Sequence, residues 1–203
     1  MKVLTPLPRV IHRLPHVLAM FMAASFFWVA GIPRVVAATD AGSLEYAVKA
    51  AYLYKFGFYV EWPSTALPSP TSPINLCVIG EDPFGTALDT AVHDQTINAH
   101  PIVIKRLESI GRDSGCHILY IGGMEIQRVS QIIDAVRGSG VLTVTDMQGS
   151  GAISGIVNFV IKDDRVRFDI DEDAASQNGL AISSKLLSLA VNVKQKSSKE
   201  IRQ

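Results

Sequence analysis

The 203-residue chain has little charge and few cysteines. Charged residues make up 19% of the sequence and the formal net charge is zero, which argues against a nucleic-acid-binding protein because such proteins carry a basic face. The two cysteines, Cys77 and Cys116, allow only one intramolecular disulfide. With 48% hydrophobic residues the chain is too apolar to be disordered, and its length suits one domain or two small ones.

The signatures of common enzyme classes are also missing. No phosphate-binding loop and no Gly-x-Ser-x-Gly turn occur, and the glycines of Gly149-Ser150-Gly151 lead into a strand where a dinucleotide loop needs a helix. Ser183-Ser184-Lys185 lacks the spacing of a serine–lysine pair, so Ser183 is better explained as a helix cap. Asp146 follows a strand without a partner acid or base, which favours a turn role over general-base catalysis. These absences favour a binding or interaction domain.

The first 38 residues have the pattern of an export signal. A positive segment with Arg9 and Arg13 precedes an uncharged stretch at 17–33, and Val36-Ala37-Ala38 offers the small residues that signal peptidase reads. We expect cleavage near Ala38 and a periplasmic product. The alternative is a retained anchor, but a membrane span needs about 20 apolar residues, and this stretch is short and contains a glycine and a proline. Four of the 19 basic residues lie in this leader, so the mature chain has 15 against 19 acidic residues, a net charge of −4.

The cysteines fit an oxidising compartment. There a disulfide between Cys77 and Cys116 is the default, and closing that loop would stabilise the fold by about 4 kcal/mol in the chain-entropy model. Two alternatives remain open. One is a zinc site that recruits His117 or His93, although no Cys-x-x-Cys or His-x-x-x-His spacing supports it. The other is a pair of separate reduced cysteines that fill core volume.

Residues 43–62 are predicted to form a helix rich in aromatic side chains. Apolar residues recur there at intervals of three and four, Ser43 is a suitable N-cap, and Pro63 ends the helix. Seven of the eleven aromatic residues after residue 38 lie in this segment, on more than one face. The helix either packs deeply against a sheet or leaves part of its aromatic surface for a partner or an apolar ligand.

Strands and helices alternate after the first helix. Strands are predicted at 74–79, 101–107, 117–122 and 141–145, and helices at 83–92 and 125–137. Two further strands at 156–161 and 166–170 form a hairpin, followed by helices at 173–180 and 183–193 and a polar tail at 194–203. The predicted fold class is α/β: a single domain over residues 39–193 with a mixed, mostly parallel sheet, helices on both faces, and a C-terminal hairpin followed by helices.

The second hairpin strand has one apolar and one charged face. Its apolar side chains, at 166, 168 and 170, alternate with charged residues at 165, 167, 169 and 171. A half-exposed strand of this kind suits the margin of a sheet, where charge discourages edge pairing.

Six blocks of sequence, in order, resemble the YfiR family of periplasmic proteins. The blocks are Val48–Phe56 continuing to Glu61-Trp62-Pro63, Leu76–Gly85, Cys116–Ile121, Leu142–Asp146, Val166–Asp171 and Gly179–Ala190. The resemblance runs from about Glu45 to Val193, almost the whole predicted mature chain.

This resemblance implies a non-enzymatic regulator without a cofactor. Proteins of the family repress an inner-membrane diguanylate cyclase by direct contact with its periplasmic domain, which lowers cyclic-di-GMP signalling and biofilm formation. An OmpA-like outer-membrane lipoprotein sequesters them, and disulfides tune the repression by redox state. Other relatives accompany transport receptors or sensor kinases, and a homodimer remains open. Between Gly149 and Ile156 this chain lacks the aromatic residue, the Gly-Gly pair and the second cysteine pair of relatives, so its one disulfide could be purely structural.

Two functional hypotheses follow. In the first, the chain is an interaction protein that contacts the cyclase through Trp62 at the end of the aromatic helix and through Arg167 and Asp169 on the charged strand face. In the second, it is a small-molecule sensor or transport accessory whose aromatic and apolar residues line a pocket. A hydrolytic role has the least support, because the sequence offers no nucleophile–base pair and no metal-ligand spacing.

Overall fold

The computed structural model of the protein describes residues 38–147 and 155–195. Three parts of the chain lie outside the described residues: all of the predicted signal peptide except Ala38, the segment at 148–154, and the tail after Gln195. The helices are α1 Ala38–Phe56, α2 Thr86–Val92, α3 Ile126–Ala135, α4 Glu172–Gln177 and α5 Ser184–Leu187. The strands are β1 Val60–Glu61, β2 Ile74–Gly80, β3 Thr96–Ile97, β4 His100–Leu107, β5 Ile118–Gly122, β6 Leu142–Thr145, β7 Val157–Lys162, β8 Arg165–Asp171, β9 Ala181–Ile182 and β10 Val193–Lys194.

Eight of these strands form one mixed sheet in the order β10-β8-β7-β6-β5-β2-β4-β3. The central strands β4, β2, β5, β6 and β7 run parallel to one another, and β10 runs parallel to β8. Within this sheet the hairpin of β7 and β8 and the short pair of β3 and β4 are antiparallel, and β1 and β9 form a separate antiparallel pair. The predicted fold class, an α/β domain with a mixed and mostly parallel sheet ending in a hairpin, is confirmed.

The two faces of the sheet carry separate cores. Leu76 and Val78 of β2 belong to the larger core, which also takes side chains from α1, α2, α4 and α5. Cys77 and Ile79, which alternate with them, belong to the smaller core under α3. Because β2 is buried on both faces, its sequence is an almost unbroken apolar run. The prediction of helices on both faces is therefore confirmed.

The hairpin of β7 and β8 closes through a two-residue loop. Asp163 and Asp164 have φ angles of 52° and 54°, and Lys162 pairs with Arg165. Positive φ at both central positions is the geometry of a type I′ turn, which matches the twist of the two strands. Aspartate adopts this conformation more readily than most residues.

The first helix differs from its prediction at both ends. It begins at Ala38, ahead of Ser43, and it ends at Phe56 instead of Trp62. Gly57 approaches Ile97 so closely that a Cβ atom built on it would lie 2.6 Å from Ile97 Cδ1. The chain makes a 3₁₀ turn there and enters β1, which pairs with β9. The aromatic spacing continues through this turn, which is why the periodicity did not show the break.

The predicted C-terminal helices at 173–180 and 183–193 are too long. In this described region the helices are only α4 and α5, since Gly179 has a φ angle of 72° and Val193 pairs with Ile170 in β10. Ser183 caps α5 as expected, since its Oγ accepts a hydrogen bond from the Leu186 N–H at 3.3 Å. No helix in the described part of the chain is both long and apolar enough to cross a bilayer.

Candidate functional site

Helix α1 has its buried charge on the inside and apolar side chains on the outside. Lys49 is only 1% exposed, whereas Leu44 is 67% exposed and Val48 37% exposed. The inner face is also apolar, since Leu53 and Phe56 lie in the larger core. Soluble proteins leave single apolar side chains exposed, but a cluster of them is less common. The outer face of α1 thus carries exposed apolar side chains together with the exposed Lys55.

Lys49 is held in the interior by two carboxylates and an aromatic ring. Its Nζ donates hydrogen bonds to Glu45 Oε1 and, at 2.6 Å, to Asp146 Oδ2, and it lies 4.7 Å from the centre of the Tyr46 ring. Burial on its own would lower the pKa of Lys49, but the hydrogen bonds and charges of Asp146 and Glu45 outweigh it and raise this pKa above its ordinary value. Lys49 is therefore charged and ties α1 to the end of β6.

The surroundings of Asp146 do not resemble those of a general base. Its carboxylate is largely buried and ion-paired with Lys49. Burial, followed by the charge of Asp146, raises the pKa of the nearby Tyr46 and Tyr120 hydroxyls, so both stay protonated. Asp146 follows the end of β6, where a turn role was predicted for it, and its carboxylate in addition pairs with Lys49. Within residues 38–147 and 155–195, no group of His, Cys, Asp or Glu side chains is arranged to hold a metal ion.

A groove runs between the first half of α1 and the hairpin of β7 and β8. Its volume is about 590 Å³. Tyr52 packs α1 against the sheet, with its ring centre 5.7 Å from that of Phe168. The residues that line this α1–hairpin groove are the apolar Leu44, Val48, Tyr52, Ile161 and Val166 and the charged Glu45, Asp164, Arg165 and Arg167. The apolar floor and charged rim are typical of a protein-binding surface.

Two of the predicted contact residues lie on β8. Arg167 is exposed and lines the α1–hairpin groove, and no described residue forms an ion pair with it. Asp169, on the same row, is engaged within the protein: its Oδ1 accepts hydrogen bonds from Asn192 N at 3.1 Å and Asn192 Nδ2 at 2.9 Å. Asp169 therefore binds the segment at Asn192 that leads into β10, whereas the Arg167 side chain is exposed and available to a partner.

The third predicted contact residue, Trp62, lies elsewhere. It is half-buried beside His117, with the ring centres 6.3 Å apart, and its Nε1 has no hydrogen-bond partner among the described residues. His117 immediately precedes β5, and β7 and β6 lie between β8 and β5 in the sheet. The structure thus groups Arg167 and Asp169 but not Trp62. Sequence reasoning missed Leu44, Val48 and Ile161, although the first two belong to the apolar repeat of the predicted helix.

The two cysteines form the expected disulfide in the smaller core. Cys77 and Cys116 are both buried, with their Cα atoms 5.9 Å apart, and neither sulfur is free to bind zinc. His117 makes two hydrogen bonds: Nδ1 accepts from Asn75 N–H at 3.0 Å, and Nε2 donates to the Ala66 carbonyl at 3.0 Å. Only the neutral ring can accept and donate in this way. Burial lowers the pKa of His117, which favours the same neutral form.

Comparison with known proteins supports the resemblance seen in the sequence blocks. No curated protein sequence matches the chain. The model of the YfiR/HmsC-like family, however, matches residues 46–191, which span most of α1 and every strand except β10. The family match thus covers the disulfide and the residues that line the α1–hairpin groove, except Leu44 and Glu45. The chain belongs to the YfiR/HmsC-like family.

Proposed function

We propose that the protein is a periplasmic regulator that represses an inner-membrane diguanylate cyclase by binding the periplasmic domain of that enzyme. Membership of the YfiR/HmsC-like family supports a regulatory role in the periplasm over a catalytic one. The disulfide between Cys77 and Cys116 supports an oxidising compartment. Repression of the cyclase would lower cyclic-di-GMP signalling and biofilm formation.

The observation that carries this proposal is the apolar outer face of α1 beside the α1–hairpin groove. Leu44, Val48 and Ile161 are large apolar side chains that are more than a third exposed, and all three line the same groove. Scattered single apolar residues need no explanation, but a cluster with a charged rim marks an interaction site. An OmpA-like lipoprotein that covered this surface would compete with the cyclase and relieve the repression.

The groove also gives some support to the second hypothesis, a small-molecule sensor for a transport or kinase system. Its volume of about 590 Å³ falls within the range of ligand pockets. It is, however, an open channel between a helix and a hairpin, whereas ligand pockets enclose most of the bound molecule. This geometry favours a segment of protein over a small metabolite.

The proposal is tested by measuring binding of the cyclase periplasmic domain to immobilised protein. Val48→Glu places a charge on the outer face of α1 and is expected to weaken binding at least about tenfold, equivalent to about 1.4 kcal/mol. Val103→Glu is the matched control, because Val103 has a similar exposure of 41% but lies on β4, near the other end of the sheet. It is expected to change affinity less than about twofold.

Equal affinity of the wild-type protein and Val48→Glu would remove the α1 surface from the proposal. Absence of binding by the wild-type protein to any diguanylate cyclase domain of its own organism would overturn the proposed function itself. A thermal-shift screen with small metabolites separates the alternative, since a ligand stabilises the folded state in proportion to ln(1 + [L]/Kd).

A further inference from the structure

Along the first half of β8, no described residue pairs with its outer edge. Strand β10 pairs only with Ile170 and Asp171. Just before that pairing, the Phe168 carbonyl accepts from Val191 N–H at 2.9 Å, and Ile170 N–H donates to the Asn192 carbonyl at 3.0 Å. Residues 168 and 170 therefore direct their backbone groups outward, away from β7.

Because this direction alternates along a strand, Val166 also directs its N–H and carbonyl outward. Among the described residues no partner bonds to these two groups or to the Phe168 N–H. A free strand edge of this kind is a template for pairing with another chain.

The free edge forms one wall of the α1–hairpin groove. Val166 and its two neighbours line the groove from the sheet, and Leu44, Val48 and Tyr52 line it from the helix. A strand edge facing a helix across an apolar groove is the arrangement that binds extended peptides by strand addition. Backbone hydrogen bonds then give affinity, and pockets for alternate side chains give specificity.

The charges beside the edge indicate which peptide would fit. Arg165 and Arg167 are exposed, lie two residues apart on the face of β8 opposite α1, and have no ion-pair partner in the described part of the chain. A second copy paired antiparallel around Val166 would set arginine against arginine, which is destabilising. An added strand with acidic residues at alternate positions would instead place carboxylates beside both arginines and apolar side chains against Leu44 and Val48.

We propose that the α1–hairpin groove binds an extended segment of the regulated partner, with alternating acidic and apolar residues, as an additional strand on the free edge of β8. This inference rests on the proposed function and specifies how the partner is recognised. The partner's backbone bonds to the Val166 N–H and carbonyl, its acidic side chains contact Arg165 and Arg167, and its apolar side chains cover the outer face of α1.

The test uses a short fluorescein-labelled peptide that alternates glutamate with valine, and fluorescence anisotropy with the full mature protein. Val166→Pro removes the outward N–H, and proline is tolerated on an edge strand. It is expected to weaken peptide binding at least about tenfold, in line with one lost hydrogen bond. Val166→Ala, which keeps the N–H, is the matched control and is expected to remain within about threefold of the wild-type protein.

A second variant keeps the test decisive if the proline variant fails to fold. Arg167→Glu leaves every backbone bond in place and is expected to weaken binding of the glutamate peptide and to favour a peptide with lysine in place of glutamate. Equal affinity of Val166→Pro and Val166→Ala, equal binding of the two peptides by the wild-type protein, or no binding of the glutamate peptide at millimolar concentration would each overturn the inference.

Failure of this inference is distinguishable from failure of the proposed function. A cyclase domain that binds the wild-type protein and loses affinity with Val48→Glu but not with Val166→Pro supports the regulator and rejects the added strand. A glutamate peptide that binds and depends on the Val166 N–H, with no binding of any cyclase domain, keeps the added strand and rejects the cyclase as the partner.

Discussion

Lys49 Nζ lies 2.6 Å from Asp146 Oδ2, and this buried ion pair joins the first helix of the domain to the end of β6. The helix supplies one wall of the α1–hairpin groove, so the ion pair also fixes the position of that wall. Its removal should therefore affect both stability and partner binding.

Replacement of Lys49 by methionine leaves the buried carboxylate of Asp146 without a counter-charge. We expect Lys49→Met to lower the free energy of unfolding by about 3–5 kcal/mol, the usual cost of breaking one side of a buried pair. Lys55→Met, at an exposed lysine of the same helix, should change it by less than about 0.5 kcal/mol. Urea unfolding followed by circular dichroism measures both values. The double variant Lys49→Met/Asp146→Asn should recover part of the loss, and a Lys49→Met cost as small as that of Lys55→Met would contradict the buried ion pair.

The second prediction concerns pH. Burial lowers the pKa of His117 below the ordinary value of 6.5, so the unfolded chain binds more protons than the folded chain between that lowered pKa and 6.5. The free energy of unfolding should therefore fall as the pH drops below about 6.5 and stop responding to His117 below the lowered pKa.

Urea unfolding measured between pH 7.5 and pH 5 shows this dependence. His117→Gln should flatten the pH dependence in this window. The same slope in the wild-type protein and His117→Gln would show that another group is responsible.

The third prediction concerns the disulfide. Both cysteines are buried under α3, so a reductant should reach them only when the domain opens, and thiol titration of the unreduced, unfolded protein should find no free thiol. The double variant Cys77→Ser/Cys116→Ser should lose about 2–5 kcal/mol of stability. At temperatures where it remains folded, it should bind the partner as the wild-type protein does, because the bond is not part of the groove. A large change in affinity on reduction would instead identify the bond as a redox switch.

The fourth prediction concerns the hairpin that carries the free edge. Asp163 and Asp164 occupy a type I′ turn, for which Asn-Gly is the preferred sequence. Asp163→Asn/Asp164→Gly should therefore stabilise the protein by about 0.5–1 kcal/mol, visible as a higher urea midpoint with an unchanged slope. An Asp164→Val variant, with a β-branched residue at positive φ, should have the opposite effect.

Local patterns predicted most of the fold. Burial of one or both faces of a helix or strand leaves a periodic pattern of apolar residues in the sequence. This pattern predicted the apolar runs of β2 and β5 and the amphipathic repeat of α3. The errors lie where a distant segment decides the outcome. Ile97 lies against Gly57 just after the end of α1, and pairing with Ile170 takes up Val193 at the end of the last predicted helix. No local signal encodes either contact.

The candidate site was predicted only in part, for the same reason. The outward position of Arg167 follows from strand alternation, and the structure places it on the groove. The engagement of Asp169 depends on Asn192, which lies far along the chain. Leu44 and Val48 have the spacing of core residues, and this spacing does not indicate which face of the helix the protein leaves exposed.

The direction of β10 has a consequence for competition within the chain. Since β10 runs parallel to β8, with Val193 opposite Ile170 and Lys194 opposite Asp171, the strand runs away from Arg165. If β10 were antiparallel to β8, it would instead run toward Val166 and cover the edge that is proposed to bind the partner. Among the described residues, the direction of β10 thus leaves the outer edge at Val166 uncovered, and a partner proposed to bind there would compete with no part of that strand.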